Sequence, residues 1–462
     1  MKDIQELKNS FKNRVIQFCS KVSLALGKIG QFSSHHHWIG IIAILMVGSL
    51  LVSFLAPRLP IPFTLHLGLF STSNWGVPEA ETYQVVDKLI ERFEKSHPYV
   101  KVEYISGIVK DDYSQWLSDQ IVRGEQPDVF MVLDQDFNML ASLGALLDLD
   151  KLVSQEPAVS LNQYYEPALE EGIYHNQLYA MPYQCNLKLM FVNTTLLAQE
   201  NIPLPSQNWT LEEFLNICEK MTQDTDQDGQ NDLFGFVDYT WKDAVEAFGL
   251  ELFDESGRSA QVNDDQVKTA IQFMQKLEEY DQNQNATYLN QGFDSGRTVF
   301  APMSLAEYKT YRPYPWKVRR YSTFEWTMLP MPAQKANGVS ACLDTLMMGI
   351  SSTTHHAHEA WDLLRMFVAD ETTQQMIAEY TGSISALNNL ELSLGFSRDE
   401  TTFSLEFLDW AITHSRSKNR FRKYEEAMTL LETGIDQILT SSTDLDLDLL
   451  KLQHQLDLFL RE

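Results

Sequence analysis

The sequence predicts an α/β fold in which a mostly parallel sheet carries helices on both faces and is preceded by one transmembrane helix. After residue 62, strand and helix patterns alternate: an apolar strand at 63–70, a helical pattern at 85–93, an alternating strand at 100–105 and a buried strand at 127–133. Such alternation is typical of parallel sheets covered by helices. With 462 residues, of which 44% are hydrophobic, the chain is long enough for two or three lobes.

The predicted transmembrane helix is the apolar stretch 38–56, which contains no charged side chain and approaches the roughly 20 residues that cross a bilayer. Segment 1–37 has six Lys and Arg residues against two acids, so we expect it in the cytoplasm and the rest of the chain outside. Pro57 follows the candidate cleavage site at Ala56, which favours an uncleaved signal anchor. Residues 57–62, with three prolines, are predicted to form a short stalk.

Charge and motif content exclude several classes of function. The formal net charge of -27 should repel nucleic acid and anionic lipid. The sequence contains no phosphate-binding loop, dinucleotide turn, nucleophile elbow or zinc-protease helix, so we expect no enzyme activity. The four cysteines are widely spaced and include no Cys-x-x-Cys pair, which argues against a redox site, structural zinc or a disulfide scaffold.

One polar segment has the spacing of a calcium loop. Oxygen-bearing side chains occupy its first, third, fifth and ninth positions, and Gly229 occupies the sixth. The candidate ligands are Asp224, Asp226, Asp228, Gln230 and Asp232. The twelfth position, where a bidentate Glu belongs, is Gly235. The segment therefore predicts either a weak calcium site or a polar turn, and no other cofactor is expected.

A series of short motifs occurs in an order typical of one family. They are QPDV at 126–129, LGALLDL at 143–149, LYAMPY at 178–183, FVN at 191–193, PSQNWTLEEF at 205–214, GRTVF at 296–300, MLPMP at 328–332, MMGISS at 347–352, EAWDLL at 359–364 and TGS at 381–383. Together they resemble the family 1 extracellular solute-binding proteins, the maltose-binding group, from about residue 63 to about residue 387.

The resemblance implies a periplasmic-binding-protein fold, in which two hinged α/β lobes enclose a ligand cleft. We assign residues 63–180 with 300–370 to the N-lobe and 181–299 with 371–462 to the C-lobe. It also implies delivery of a small ligand to the permease subunits of an ABC importer, with the chain acting as a monomer. At sugar-contact positions of the maltose-binding pattern, this chain has Val132, Gln135, Asp136, Asn186 and Ala306, so maltose specificity is not implied.

Most candidate ligand-binding residues follow predicted strand ends, where sheets of this kind bind ligands. The candidates are Asn74, Trp75, Asp134, Asp136, Tyr183, Gln184, Asn186 and Trp241. Trp241 is added because it lies where the second lobe would face the cleft. The three aromatic rings are suited to stacking on sugars, and the amides and carboxylates to hydroxyl recognition. Core packing is the alternative role for the rings, and helix capping or a solvated loop for the carboxylates.

Other functions remain open at this level. A polyamine or other cationic solute is the alternative ligand, because the surface is acidic. A sensing subunit that reports ligand occupancy to a membrane partner is an alternative role. A cell-surface glycoside-processing enzyme would need two carboxylates across a bound sugar, and no motif supports it.

Overall fold

In the computed structural model, the described residues are 62–75, 82–156, 159–254, 256–281, 292–307, 324–338, 341–381, 383–389, 405–419, 421–440 and 444–461. The chain divides into two units, residues 1–62 and 63–462, and all that follows concerns the second. Segment 1–37, the predicted anchor 38–56 and all of the predicted stalk except Pro62 lie outside the described residues. Within the described part, no helix has both the length and the apolarity to cross a membrane.

The described strands are β1 (Phe63–Gly68), β2 (Val100–Tyr104), β3 (Val129–Val132), β4 (Ile173–Tyr174), β5 (Gln177–Leu178), β6 (Ala180–Asn193), β7 (Phe234–Phe236), β8 (Thr298–Ser304), β9 (Trp326–Leu329), β10 (Ala341–Ile350) and β11 (Ser415–Arg416). The described helices are α1 (Thr82–Ser96), α2 (Lys110–Arg123), α3 (Asp134–Ser142), α4 (Asp150–Gln155), α5 (Glu166–Glu170), α6 (Thr194–Gln199), α7 (Leu211–Met221), α8 (Trp241–Ala247), α9 (Asp265–Leu277), α10 (Ala357–Val368), α11 (Glu371–Thr381), α12 (Leu405–Thr413), α13 (Tyr424–Thr440) and α14 (Leu445–Arg461).

The main sheet is mixed, which corrects the expectation of mostly parallel sheets. Among the described strands its order is β2-β1-β3-β10-β6-β8-β7, with β9 paired to β6 and β11 to β10. β1 runs parallel to β2 and β3, and β7 runs parallel to β8. The two long strands β6 and β10 instead pair antiparallel with each other, β10 also with β3, and β6 also with β8 and β9. The short strand β11 runs parallel to β10. Strand direction is decided by partners distant in sequence, so the local pattern does not reveal it.

β6 joins the two lobes. Its first part, Ala180 to Leu187, pairs with β10 beside β3, and its last part, Lys188 to Asn193, pairs with β8 and β9. Nearly every residue of the strand is buried, as expected for a strand covered on both faces. β10 accompanies β6 and changes register between Leu346 and Met347, an irregularity that bends a strand locally. The sheet therefore has two parts joined by β6 and β10, and we call the part with β1–β3 the N-lobe and the part with β7–β9 the C-lobe.

Local sequence patterns account for two of the described helices. α7 begins after Thr210, which forms a capping box with Glu213: the Glu213 backbone N–H donates to Thr210 Oγ1, and the Thr210 N–H donates to Glu213. α9 buries Val267, Ile271, Met274 and Leu277 on one face, as their helical spacing predicts.

Contacts also bear on the predicted lobe boundaries. β8 pairs with β6 and β7, on the C-lobe side of the sheet. α11 packs against α1, and Arg92 next to this contact forms a 2.7 Å ion pair with Asp370. β8 therefore lies beside the C-lobe strands and α11 beside an N-lobe helix, and the divisions predicted at 300 and 371 stay predictions. The other boundaries stay predictions.

Candidate functional site

A cavity of about 240 Å³ lies where β6 and β10 cross between the lobes. The N-lobe contributes Asp134, the residue directly after β3 and Leu133. The crossing strands contribute Lys188, Cys342 and Asp344. The C-lobe contributes the α8 region from Trp241 to Phe253 and the first part of α13. Residues 416–419 complete the lining, so groups distant in sequence meet at one place.

The charge on Lys188 lies within an otherwise apolar strand segment and is paired. Its Nζ donates to Asp243 Oδ1 at 2.7 Å, and the Asp243 side chain is only 1% exposed. Asp243 also accepts the backbone N–H of Thr240 at the start of α8. Burial opposes the charge on Lys188, but Asp243 outweighs it and holds the pKa of Lys188 above its ordinary value. The pair therefore fixes α8 to the crossing strand.

Lys418 links the N-lobe to β10. Its Nζ lies 2.7 Å from Asp134 Oδ2 and 2.9 Å from Asp344 Oδ1, and its backbone N–H donates to Glu171 Oε1 at 2.7 Å. Burial opposes this charge too, yet Asp344 and Asp134 raise the pKa of Lys418 well above its ordinary value. The ammonium is therefore charged at neutral pH and is shared by two carboxylates.

The same segment, residues 415–419, also holds the C-lobe, and we call it the strap. Arg416 forms an ion pair with Glu251 and donates to the Leu250 carbonyl at 2.8 Å. Asn419 Nδ2 donates to the Phe253 carbonyl at 3.3 Å. The strap thus binds the C-lobe turn at 250–253 while Lys418 binds the N-lobe.

Glu246 lies at the cavity and, unlike Asp243 on the same helix, forms no ion pair within the described part of the chain. Its Oε2 accepts the backbone N–H of Cys342 at 3.3 Å. Burial, and next the negative charge of Asp243, raise the pKa of Glu246 above its usual 4.5. The ionised form is therefore unfavourable in the folded protein.

We expect Glu246→Gln to raise the free energy of unfolding near neutral pH by on the order of 1 kcal/mol. The folded-state pKa of Glu246 lies above the unfolded one, so the wild-type protein loses stability as pH rises from the unfolded value through the folded value. The glutamine variant does not, and its carbonyl can still accept from Cys342. Urea unfolding at several pH values checks this. The difference should vanish below about pH 4; an unchanged difference there would contradict the assignment.

The comparisons with known proteins bear on what the cavity does. The family model for bacterial extracellular solute-binding proteins matches residues 88–403, more than half of the chain. The chain belongs to this family. Members of this family bind a solute outside the cytoplasm. The match confirms the kind of family that the ordered motifs predicted.

Solved structures with this fold cover most of this solute-binding protein. An ABC substrate-binding protein from Listeria monocytogenes, in complex with cycloalternan, has a TM-score of 0.66 and 15% identity and covers 86% of this chain and 99% of its own. The sugar-binding protein MalE from Xanthomonas citri has a TM-score of 0.70 and 14% identity, and the match covers 86% of this chain and 97% of MalE. The cyclic alpha-maltosyl-1,6-maltose binding protein from Arthrobacter globiformis has a TM-score of 0.69 and 15% identity, and the match covers 87% of this chain and 99% of that protein. At such low sequence identity, the structural similarity establishes the fold alone.

A curated relative matches a shorter stretch. An uncharacterized lipoprotein in the oleD 5′ region of Streptomyces antibioticus is 27% identical over 163 residues, which are 35% of this chain. The match spans about a third of the length of that relative, 34%.

Of the predicted ligand residues, the structure places Asp134 and Trp241 at the cavity of this solute-binding protein. Trp241 is the first residue of α8 and is 5% exposed. Asn74 and Trp75 follow β1 and lie outside the cavity lining; the Asn74 carbonyl accepts from Lys110 Nζ at 2.6 Å. Asp136 is buried, accepts from Ser114 Oγ at 2.6 Å, and has a pKa that burial raises.

The three candidates on β6 lie in the core rather than at the cavity. Tyr183 is 1% exposed and packs edge-on against Phe367, with ring centroids 6.1 Å apart. Gln184 is buried opposite Leu346. Asn186 Oδ1 accepts the backbone N–H groups of Leu187 and Ala306. These contacts favour the structural alternative, because β6 continues through this region and no strand ends here.

Sequence reasoning missed the other charged residues of the cavity. Lys188 and Asp344 did leave a signal, since each is a lone charge within an apolar strand run and such a charge must find a partner when buried. Arg416 and Lys418 left none, because 284 positions separate Lys418 from its partner Asp134.

The predicted calcium loop gathers some of its candidate ligands. One carboxylate oxygen each from Asp224, Asp226 and Asp232 lies within 4.8 Å of the others. Asp228 Oδ1 instead accepts the backbone N–H of Gln230 at 2.8 Å. Gly235, at the twelfth position, packs closely against Cys218 and offers no side-chain ligand. Carboxylates of this kind suit a hard cation such as calcium.

Proposed function

We propose that this chain is the membrane-anchored substrate-binding component of an ABC importer, and that it binds a saccharide in the cavity between its lobes. The observation that carries this proposal is the cavity at the crossing strands, which combines the Trp241 ring with charged groups held in ion pairs. Family membership and the saccharides named for structural relatives support it. The permease subunits are then its partners, and no chemical step is required of it.

The cavity suits a ligand that both donates and accepts hydrogen bonds. Lys188 and Lys418 present donors, while Asp344 and Glu246 present acceptors. Because ion pairs hold most of these groups, they need little reordering when a ligand binds. Trp241 and Tyr424 supply ring faces for the apolar C–H groups of a sugar.

Titration calorimetry with neutral saccharides and with polyamines tests this proposal. We would use the full-length chain in a detergent without a sugar headgroup, so that the detergent does not compete. Saturable binding of at least one saccharide is expected. Binding of polyamines alone would overturn the saccharide proposal.

A cationic solute is the second candidate, and the balance of charges favours it. Six carboxylates line the cavity, from Asp134, Glu246, Glu251, Asp344, Glu425 and Glu432, against four basic side chains, Lys188, Lys242, Arg416 and Lys418. All four basic groups form ion pairs, and the acidic side chains outnumber them by two. The same titration decides between the two ligand classes.

The proposed location is the outer side of the cell membrane, with 38–56 as the single-pass anchor. Its apolar sequence and the basic segment before it support this. Membrane fractionation of the full chain and of residues 63–462 tests the anchor: only the full chain should sediment with membranes.

We expect calcium to bind the 224–232 loop weakly, with a dissociation constant of about 10⁻⁴–10⁻³ M, because the bidentate twelfth ligand is absent. Excess calcium should raise the melting temperature by a few degrees relative to magnesium at equal ionic strength. Asp224→Asn should abolish the response. Asp254→Asn is the matched control, since Asp254 accepts backbone N–H groups in a similar way outside the cluster. Equal melting temperatures in calcium and magnesium would contradict the site.

A further inference from the structure

The cavity is small for the ligands that this fold can enclose. Its volume of about 240 Å³ lies below the roughly 300–1,000 Å³ of pockets that take drug-sized ligands. A short saccharide is therefore the natural occupant, provided that the walls do not yield.

The strap forms the part of the cavity wall that limits the length of the ligand. It forms hydrogen bonds with both lobes. On the N-lobe side, Ser417 Oγ donates to Glu170 at 2.6 Å and the Lys418 N–H donates to Glu171. On the C-lobe side, Arg416 donates to the Leu250 carbonyl and Asn419 to the Phe253 carbonyl. A segment fixed at both sides cannot move aside without breaking several hydrogen bonds.

Lys418 makes this wall costly to displace. Its ammonium lies between Asp134 and Asp344, at 2.7 and 2.9 Å, and its side chain is 25% exposed. Moving it away would leave two carboxylates facing each other without their shared cation, which is strongly unfavourable in a partly buried site. A longer ligand would have to meet this cost in order to extend past Lys418.

We propose that the strap restricts the ligand to one or two sugar rings and that Lys418 is the residue that sets this limit. The inference rests on the proposed saccharide function and adds the size class of the ligand. Trp241 and Lys418 both line the cavity, the first with a ring that can stack on a sugar and the second as part of the strap.

Calorimetry of the full-length chain with saccharides of increasing length tests the limit. The probes are α-1,4-glucosides, β-1,4-mannosides and β-1,4-galactosides of one to four rings. In the series that binds, we expect three and four rings to bind about tenfold more weakly than the best shorter member. Lys418→Ala should reduce that difference about tenfold. Lys423→Ala is the control, because Lys423 lies near the strap, outside the cavity lining, and donates to the Phe459 carbonyl.

Equal or rising affinity up to four rings in the wild-type chain would overturn the size limit while leaving the saccharide function intact. A length preference that is the same in Lys418→Ala and Lys423→Ala would overturn the role of Lys418. If Lys418→Ala does not fold, the wild-type series still decides the limit. Failure of every saccharide to bind would instead refute the proposed function, and the inference with it.

Discussion

Replacing Trp241 with alanine is expected to weaken saccharide binding by about 1–3 kcal/mol, roughly fivefold to 150-fold. Trp241 opens α8 and lines the cavity, so its ring is placed to stack on the apolar face of a sugar. Alanine removes that face, whereas Trp241→Phe keeps an aromatic surface and should retain most of the affinity. Titration calorimetry with the saccharide that binds best measures the change.

The control must separate lost stacking from lost stability, because Trp241 is also nearly buried. Truncation of a buried tryptophan typically costs about 3–5 kcal/mol of unfolding free energy. Binding should therefore be compared well below the melting temperature of each variant. Trp361→Ala is the matched substitution, since Trp361 lies on α10, outside the cavity lining, and is 4% exposed. If the Trp241 and Trp361 variants bind equally well, Trp241 does not contact the ligand.

Lys188→Met is expected to lower the free energy of unfolding by about 2–3 kcal/mol. The substitution leaves the carboxylate of Asp243, 1% exposed, without its cation. We expect less than the roughly 3–5 kcal/mol typical of fully buried pairs, because the Lys188 side chain is 40% exposed and solvent screens part of the interaction. Urea unfolding monitored by circular dichroism measures the difference.

Two further variants show whether the missing partner is the cause. Lys242→Met removes a lysine from α8 whose partner Glu432 is exposed, so it should cost about 1 kcal/mol or less. Lys188→Met combined with Asp243→Asn should recover part of the loss, since no buried charge then remains unpaired. Equal decreases in the free energy of unfolding for Lys188→Met and Lys242→Met would show that the Lys188–Asp243 pair stabilises the fold no more than an exposed ion pair.

Local sequence patterns predicted much of the fold. The apolar segments at 63–70, 100–105 and 127–133 contain β1, β2 and β3. Thr210 and Glu213 indicate the start of α7 from the sequence alone, because a capping box involves only residues within one helical turn. The antiparallel pairing of β10 was not predictable in the same way, since its partners β3 and β6 lie far away in the chain.

Local rules predicted some of the residues that line the cavity. Asp134 follows a predicted buried strand, and the structure places both Asp134 and Trp241 in the cavity lining. Tyr183 lies in the core because β6 continues through this position instead of ending there. The missed strap residues acquire their role only from contacts across the cleft.

The sequence by itself determined the periodicity of strands and helices, the helix starts and the family, because these depend on neighbouring residues or on ordered motifs. Tertiary structure alone decided which charges meet. Asp134, Asp344 and Lys418 come together only because β3, a crossing strand and a C-terminal segment converge on one cavity. Ion pairs of this kind depend on distances in the folded structure, and the spacing of these residues along the chain does not predict them.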